Sequence, residues 1–186
     1  MSGFVVAQTD VTGLGEINQT RLQKTRTGMT ILGSWALGNM LISPVLASRS
    51  NGVEKHFHQM NAYWNIVNFG IAAIGYFNTL NQDVSSLSLA ASVSEQQLIE
   101  KVLLFNTGLD LAYVVGGFYM IERSRRNGHQ SERLKGFGRS IVLQGAFLFA
   151  FDLLFYLKMH QHGSQVMNLL TNVRLTPNSV GVSFMF

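Results

Sequence analysis

Two aspartates, Asp110 and Asp152, are the residues of this chain whose position most strongly suggests chemistry. Asp110 is the only Asp, Glu, Lys or Arg in residues 102–121, and Asp152 is the only one in residues 140–157. An ionised carboxylate in such apolar surroundings is costly unless a cation lies at the same depth, and no Lys or Arg does. Two such carboxyls that meet would share one proton. The pair therefore indicates a proton or cation site, and a neutral, hydrogen-bonded structural pair is the alternative.

Amide side chains form a second polar group. From position 58 to position 75, steps of three and four residues give His58, Asn61, Asn65, Asn68, Ala72 and Gly75, and most of the other residues are apolar. Such steps fall on one face of a helix. A helix that turns its polar and small side toward partner helices and its apolar side toward lipid has this pattern. These asparagines therefore predict either a ligand-binding face or hydrogen bonds that fix helix packing.

Matched depths extend this prediction to other helices. We measure depth from the end of each predicted span that lies on the extracytoplasmic side, at 1.5 Å per residue. Asn39 and Asn68 are then both about 17 Å deep, Asp110 about 13 Å and Asp152 about 9 Å. Each buried amide or carboxyl left unpaired in hydrocarbon would cost several kcal/mol, so mutual pairing is expected. We predict one connected interior network, formed by Asn39, Asn65, Asn68, Asn106, Asp110, Gln144 and Asp152, with Asn61 as a further candidate ligand residue.

Catalytic, metal and cofactor sites are not expected. His56 and His58 lie at the opposite membrane face from His160 and His162, and the H-x-H spacing differs from the i, i+3 or i, i+4 spacing of helical metal sites. No nucleophile motif, phosphate loop or dinucleotide fingerprint is present. The chain has no Cys, so neither disulfides nor thiolate chemistry is available. The sequence thus predicts a non-enzymatic protein without cofactors.

The elements that position these residues follow from the distribution of charge. Charged residues are 13% of the chain, about half of the roughly 25% typical of soluble globular chains. Four runs almost free of charge, each about 18–25 residues long, match the length needed to cross a bilayer. We predict an all-α, integral membrane, up-down four-helix bundle with a polar interior and spans at about 27–48, 57–79, 99–122 and 139–160.

The remaining segments are predicted to lie outside the membrane. Residues 1–26 form an N-terminal segment that becomes helical near Glu16, the connection 81–98 is polar and Ser-rich, and 161–186 form a C-terminal tail with strand-like alternation near its end. The loops 49–56 and 123–139 carry eight Lys and Arg, against six on the other side. This bias predicts cytoplasmic basic loops and two extracytoplasmic termini. The basic residues behind the net charge of +4 lie beside the apolar runs, where they would meet lipid headgroups. Lipid rather than nucleic acid is therefore the expected partner.

Two stretches carry a resemblance to a known family. The runs RLQKTRTGMTILGSWALGNM and KHFHQMNAYWNIVNFGIAAIGYF resemble a family of small bacterial membrane proteins with four predicted spans and no assigned function. The resemblance covers Arg21 to about Asp152. It implies a bacterial inner-membrane location and brings no activity, cofactor or catalytic residue.

Two functions remain open from the sequence. The first is a non-enzymatic accessory, scaffold or ligand-binding membrane protein, working with other membrane subunits or as a homo-oligomer. The second is a transporter of protons or a small solute that uses Asp110 and Asp152. A water-accessible path to these carboxyls would favour transport, and a dry interior would favour the accessory role.

Overall fold

The computed structural model contains four long helices followed by a short β-hairpin. It describes residues 11–84, 87–126, 128, 130–176 and 179–182, and their side chains from residue 13 to residue 164 within these ranges. The helices are α1 (Val11–Arg49), α2 (Gly52–Asn81), α3 (Leu89–Ser124) and α4 (Ser131–Asn172), and the strands are β1 (Val173–Thr176) and β2 (Ser179–Val182). The two strands are antiparallel, with Val173 opposite Val182. The predicted four-helix, all-α class is confirmed, and the hairpin is a small addition to it.

Local sequence signals set where the helices begin. The turn between α1 and α2 is short, and Gly52 takes a φ of +56° there, a left-handed conformation that glycine adopts without steric cost. Ser88 caps α3, because its hydroxyl accepts a hydrogen bond from the backbone N–H of Ala91 at 3.2 Å. These two signals place the polar stripe of α2 and the aspartate of α3 at fixed positions along their helices.

The helices are longer than the predicted spans. The first begins at Val11, where a non-helical segment was expected, and α3 begins at Leu89, inside the predicted connection 81–98. The last helix continues to Asn172, so the predicted tail from residue 161 is helical in its first part. The polar composition of these ends suggests loops, but Gln, Glu, Lys and Arg are good helix formers. The end of the tail, residues 183–186, lies outside the described residues.

The helices pack as two antiparallel hairpins joined through α4. The α1–α2 pair and the α3–α4 pair each form a close antiparallel contact, and α4 also packs along α2 and, less extensively, along α1. The third helix packs chiefly on α4. The arrangement thus differs from a bundle in which every helix has two equal neighbours. The last helix is the element that positions the polar groups of the other three.

Burial in this structure is reversed relative to a soluble bundle. Among the described side chains, buried polar or charged residues outnumber buried apolar ones, 16 to 10. Large apolar side chains are exposed on all four helices, for example Phe105 at 68% and Ile74 at 66%. By length and composition, two helices of the described part could cross a membrane, within Gly13–Arg49 and Ser131–Ser164. Two of the four predicted spans therefore meet this criterion of length and apolarity, and the membrane location and the number of spans stay predictions.

Candidate functional site

Asp110 and Asp152 meet in the contact between α3 and α4. Both are buried, at 3% and 7% exposure, and their carboxyl groups lie close enough to interact directly. A hydrogen bond between two carboxyls needs a proton on one of them, because two carboxylates can only accept. The other described residues supply no donor to Asp110 Oδ2. The structure therefore brings the two carboxyls together, and the shared proton stays a prediction.

Two aspartates at different levels meet because of the direction in which helical side chains lean. Gly145 of α4 faces the turn of α3 that follows Asp110, since a β carbon on Gly145 would lie 3.1 Å from the carbonyl oxygen of Asp110 and 3.2 Å from the β carbon of Tyr113. Asp152 is two turns further along α4. Side chains lean toward the N-terminus of their own helix, and these helices are antiparallel, so the two carboxyls lean toward each other. Asp110 itself lies about one turn nearer to Asp152 than the level of Gly145 does, and the lean of the two side chains spans the remaining distance.

Glycines bring α3 and α4 close enough for this contact. A β carbon on Gly117 would lie 2.8 Å from the carbonyl oxygen of Gly138, and one on Gly138 would lie 2.7 Å from the carbonyl oxygen of Gly117. Two backbones can approach this closely only where neither carries a side chain. The glycine contact and the carboxyl pair lie on one buried seam of α3 with steps of three and four residues, which includes Leu103, Thr107, Asp110, Gly117 and Ser124.

Amide groups form a second polar cluster, on the other side of α4. Asn61 Oδ1 accepts hydrogen bonds from Ser140 Oγ at 2.6 Å and from Gln144 Nε2 at 3.1 Å. The indole Nε1 of Trp35 donates to Gln144 Oε1 at 3.0 Å. Asn65 Nδ2 donates to the carbonyl oxygen of Asn61 at 2.8 Å. We call these five residues the amide cluster, and it ties α1, α2 and α4 together.

The predicted single network is therefore divided in two. The carboxyl pair belongs to the α3–α4 contact and the amide cluster to α1, α2 and α4, because α3 packs chiefly on α4. Asn68 is buried, and its Nδ2 has no partner among the described residues. Asn39 Nδ2 donates to the carbonyl oxygen of Trp35 at 2.9 Å rather than to Asn68. Asn106 is half-buried on α3, one turn from Asp110.

A pocket of about 330 Å³ lies beside the amide cluster, between α1 and α2. Its lining includes two predicted residues, Asn39 and Asn61, and others that the sequence did not single out: Ser34, Trp35, Gly38, Ile42, Ser43, Leu46 and His58. The α1 residues of this lining recur at one-turn intervals from position 34 to position 46, which gives a groove about 18 Å long. Space exists at its centre because a β carbon on Gly38 would meet nothing within 4 Å.

Histidines are placed at the two ends of the bundle. His56 Nδ1 lies 2.9 Å from Gln59 Oε1 near the start of α2, and His160 Nδ1 lies 2.9 Å from Glu100 Oε2 near the other end. Among the described residues, no group of three or more His, Asp or Glu could hold a metal ion.

Comparison of the chain with models of known families identifies the family to which it belongs. The model of a family of unknown function (DUF6992) matches residues 31–153. The chain belongs to this family. The predicted membership of a family without an assigned function is thus confirmed. The chain has no match among curated proteins or solved structures.

The DUF6992 match contains both the carboxyl pair and the amide cluster but only part of a third buried polar group, because it begins after Asn18 and Arg21. We call this group the Arg21 cluster, which consists of Asn18, Arg21, Ser92 and Glu95. Asn18 Nδ2 donates to Ser92 Oγ at 2.8 Å, and the buried guanidinium of Arg21 is paired with the Glu95 carboxylate. Burial lowers the pKa of Arg21, and Glu95 raises it. The sequence did not predict this group, because residues 1–26 and 81–98 were expected to lie outside the membrane and no contacts between them were expected.

Proposed function

We propose that this protein of the DUF6992 family is a non-enzymatic membrane protein that crosses the bilayer four times and binds a small molecule in the pocket between α1 and α2. The observation that carries the membrane part is the reversed burial. Among the described side chains, 27 large apolar ones are exposed, between 38% and 68%. Leaving so many half in water would forgo tens of kcal/mol of transfer free energy, more than the roughly 5–15 kcal/mol that holds a domain folded.

The exposed faces of α2 and α3 support four spans where averaged hydropathy supports two. Hydropathy averages all sides of a helix, and α2 places Asn61, Asn65 and Asn68 inside, where lipid does not meet them. Its outer surface carries Ile66 and Ile74. A bilayer requires an apolar outer face and satisfied backbone groups, and long helices with polar interiors meet both requirements.

The pocket supports a binding role. It lies within the size range of small-molecule sites, and a few polar groups converge on a mostly apolar wall, as is typical of such sites. The amide cluster behind it fixes the positions of α1, α2 and α4, so the wall is preorganised. We place the basic end of the bundle in the cytoplasm and both termini outside it, in a bacterial inner membrane. Lipid and other membrane subunits, or further copies of the chain, are the proposed neighbours.

Single-cysteine labelling tests the topology cleanly because the natural chain has no Cys. We would introduce Gln97→Cys near the start of α3, Phe105→Cys on its exposed face, and Gln130→Cys before α4. In intact cells an impermeant maleimide should label Gln97→Cys alone, Gln130→Cys should react after the membrane is opened, and Phe105→Cys only after denaturation. Labelling of Phe105→Cys in native protein, or release of the protein from membranes by alkaline carbonate, would contradict the membrane proposal.

A second candidate function is proton-coupled transport through the carboxyl pair. The close approach of the buried carboxyls of Asp110 and Asp152 favours it, because a proton shared between them could be exchanged. Vesicles that contain the protein and a pH-sensitive dye would show a proton flux that Asp110→Asn and Asp152→Asn both abolish. An unchanged flux in both variants would rule this function out.

A further inference from the structure

Most of the polar groups that line the pocket between α1 and α2 and lack a hydrogen-bond partner are donors. The acceptor Oδ1 of Asn61 is already taken by two donors, whereas its Nδ2 donates no hydrogen bond to the described residues. Ser43 is 3% exposed and lines the pocket, and its hydroxyl likewise has no partner among them. The ring of His58 lines the same wall and adds a further N–H. Three groups that can donate hydrogen bonds therefore line the pocket, beside one acceptor without a donor among the described residues, Asn39 Oδ1. A ligand that supplies mainly acceptors would satisfy most of these groups.

Trp35 gives the pocket an apolar end. One face of its indole is stacked on Phe147, with ring centroids 3.9 Å apart, and its N–H is used by Gln144. What remains for the pocket is apolar ring surface, which suits a flat or aliphatic group. The Trp35 ring thus adds contact area without another polar requirement.

The charge of the ligand follows from the lining. None of the nine lining residues is an Asp, Glu, Lys or Arg. Burying a charged headgroup here would leave it without a counter-ion, which is costly in an apolar environment. The lining therefore favours a ligand without formal charge.

The position of the pocket indicates how the ligand enters. Ile42 and Leu46 line it and are also 59% and 39% exposed on the outside of α1. In a bilayer these residues face acyl chains, so the pocket would open sideways into lipid. A volume of 330 Å³ lies at the small end of the range of small-molecule sites, which suits a headgroup rather than a complete lipid. The apolar chain of the ligand would extend from the opening along α1.

Building on the proposed function, we infer that the pocket binds an uncharged amphiphile whose headgroup offers carbonyl oxygens to Asn61, Ser43 and His58. The carbonyls of an isoprenoid quinone ring and the ester carbonyls of a neutral glycerolipid share this chemistry. The apolar chain lies against Ile42 and Leu46.

Tryptophan fluorescence offers a direct test because the chain has two tryptophans. Trp64→Phe leaves Trp35, at the pocket, as the reporter. In detergent micelles decylubiquinone should quench this signal saturably, and dioctanoylglycerol, dodecyl phosphate and dodecyltrimethylammonium are then added as competitors. Native mass spectrometry with the same four probes counts the molecules bound. Competition by dioctanoylglycerol would point to a site open to both carbonyl sources, and its failure to compete would point to the quinone.

Matched glycine variants locate the binding. Gly38→Leu fills the centre of the pocket and should weaken binding of the neutral probe at least tenfold. Gly116→Leu, on the exposed side of α3, adds the same side chain where a β carbon also meets nothing within 4 Å, and it should leave binding unchanged. Equal binding in the two variants would overturn the inference.

The remaining outcomes separate this inference from the proposed function. If the charged probes bind or compete more strongly than the neutral ones, the ligand class is wrong but the pocket is still a binding site. If none of the four probes binds saturably by either measurement, the neutral-amphiphile inference falls and the ligand-binding part of the proposed function falls with it. The cysteine-labelling result on topology is independent of both.

Discussion

Replacing Gly117 by alanine is expected to push α3 away from α4. The new β carbon would lie 2.8 Å from the carbonyl oxygen of Gly138 and 2.9 Å from the backbone nitrogen of Val142. Contacts below 3.0 Å are essentially never seen for real β carbons, and both neighbours are backbone atoms of another helix. No side-chain rotation can relieve them, so the helices must separate by roughly half an ångström.

The size of the effect follows from this geometry. Overpacking of a close contact costs about 1–3 kcal/mol, and a loss of 2 kcal/mol is about a thirtyfold change in the folding equilibrium. Because α3 packs chiefly on α4, contacts with other helices compensate little. The neighbouring glycine provides a matched control, since a β carbon on Gly116 would meet nothing within 4 Å.

Thermal or denaturant unfolding of Gly117→Ala and Gly116→Ala in the same detergent measures the difference. We expect Gly117→Ala to be less stable than the natural protein by about 2 kcal/mol and Gly116→Ala to differ from it by less than about 0.5 kcal/mol. Equal stabilities for the two variants would refute the close approach of α3 and α4.

Three further substitutions test the buried polar groups. Asp110→Asn keeps a hydrogen-bond partner for Asp152 and should cost less than about 1 kcal/mol, whereas Asp110→Leu should cost about 1–3 kcal/mol; equal losses in unfolding experiments would contradict the pairing. Trp35→Phe leaves the buried Oε1 of Gln144 without its donor and should lower the free energy of unfolding by about 1–3 kcal/mol. An unchanged unfolding midpoint would contradict the hydrogen bond between Trp35 and Gln144. Arg21→Met should cost about 1–2 kcal/mol, because its carboxylate partner can regain water, and a stabilised variant would contradict the role of the pair.

The sequence predicted the inward face of α2 because its residue types contrast so strongly. Asn61, Asn65, Asn68 and Ala72 recur among large apolar residues, and the structure buries all four. The seam of α3 has the same spacing, but it mixes leucine, threonine, aspartate and glycine and so carries no contrast in residue type. Spacing is informative only where the two sides of a helix differ in composition.

Two features of the site could not be predicted from local sequence. The pocket depends on an absent side chain, at Gly38, and on how far α1 stands from its neighbours, which is a tertiary property. The division of the polar residues into two groups depends on α4 lying between α3 and the other helices. Depth estimates placed Asp110 and Asp152 near each other correctly, but depth alone does not specify which helices are adjacent.

The central place of α4 has a consequence for how the chain is made. In the proposed membrane topology, synthesis from the N-terminus would bring α3 to the membrane while its principal partner is still on the ribosome. Asp110 would then meet lipid before Asp152 exists, at a cost of a few kcal/mol for an intramembrane carboxyl. Delivery of α3 and α4 together, as one hairpin, avoids that exposed stage. Assembly of this protein would therefore depend on how quickly its last helix follows the third.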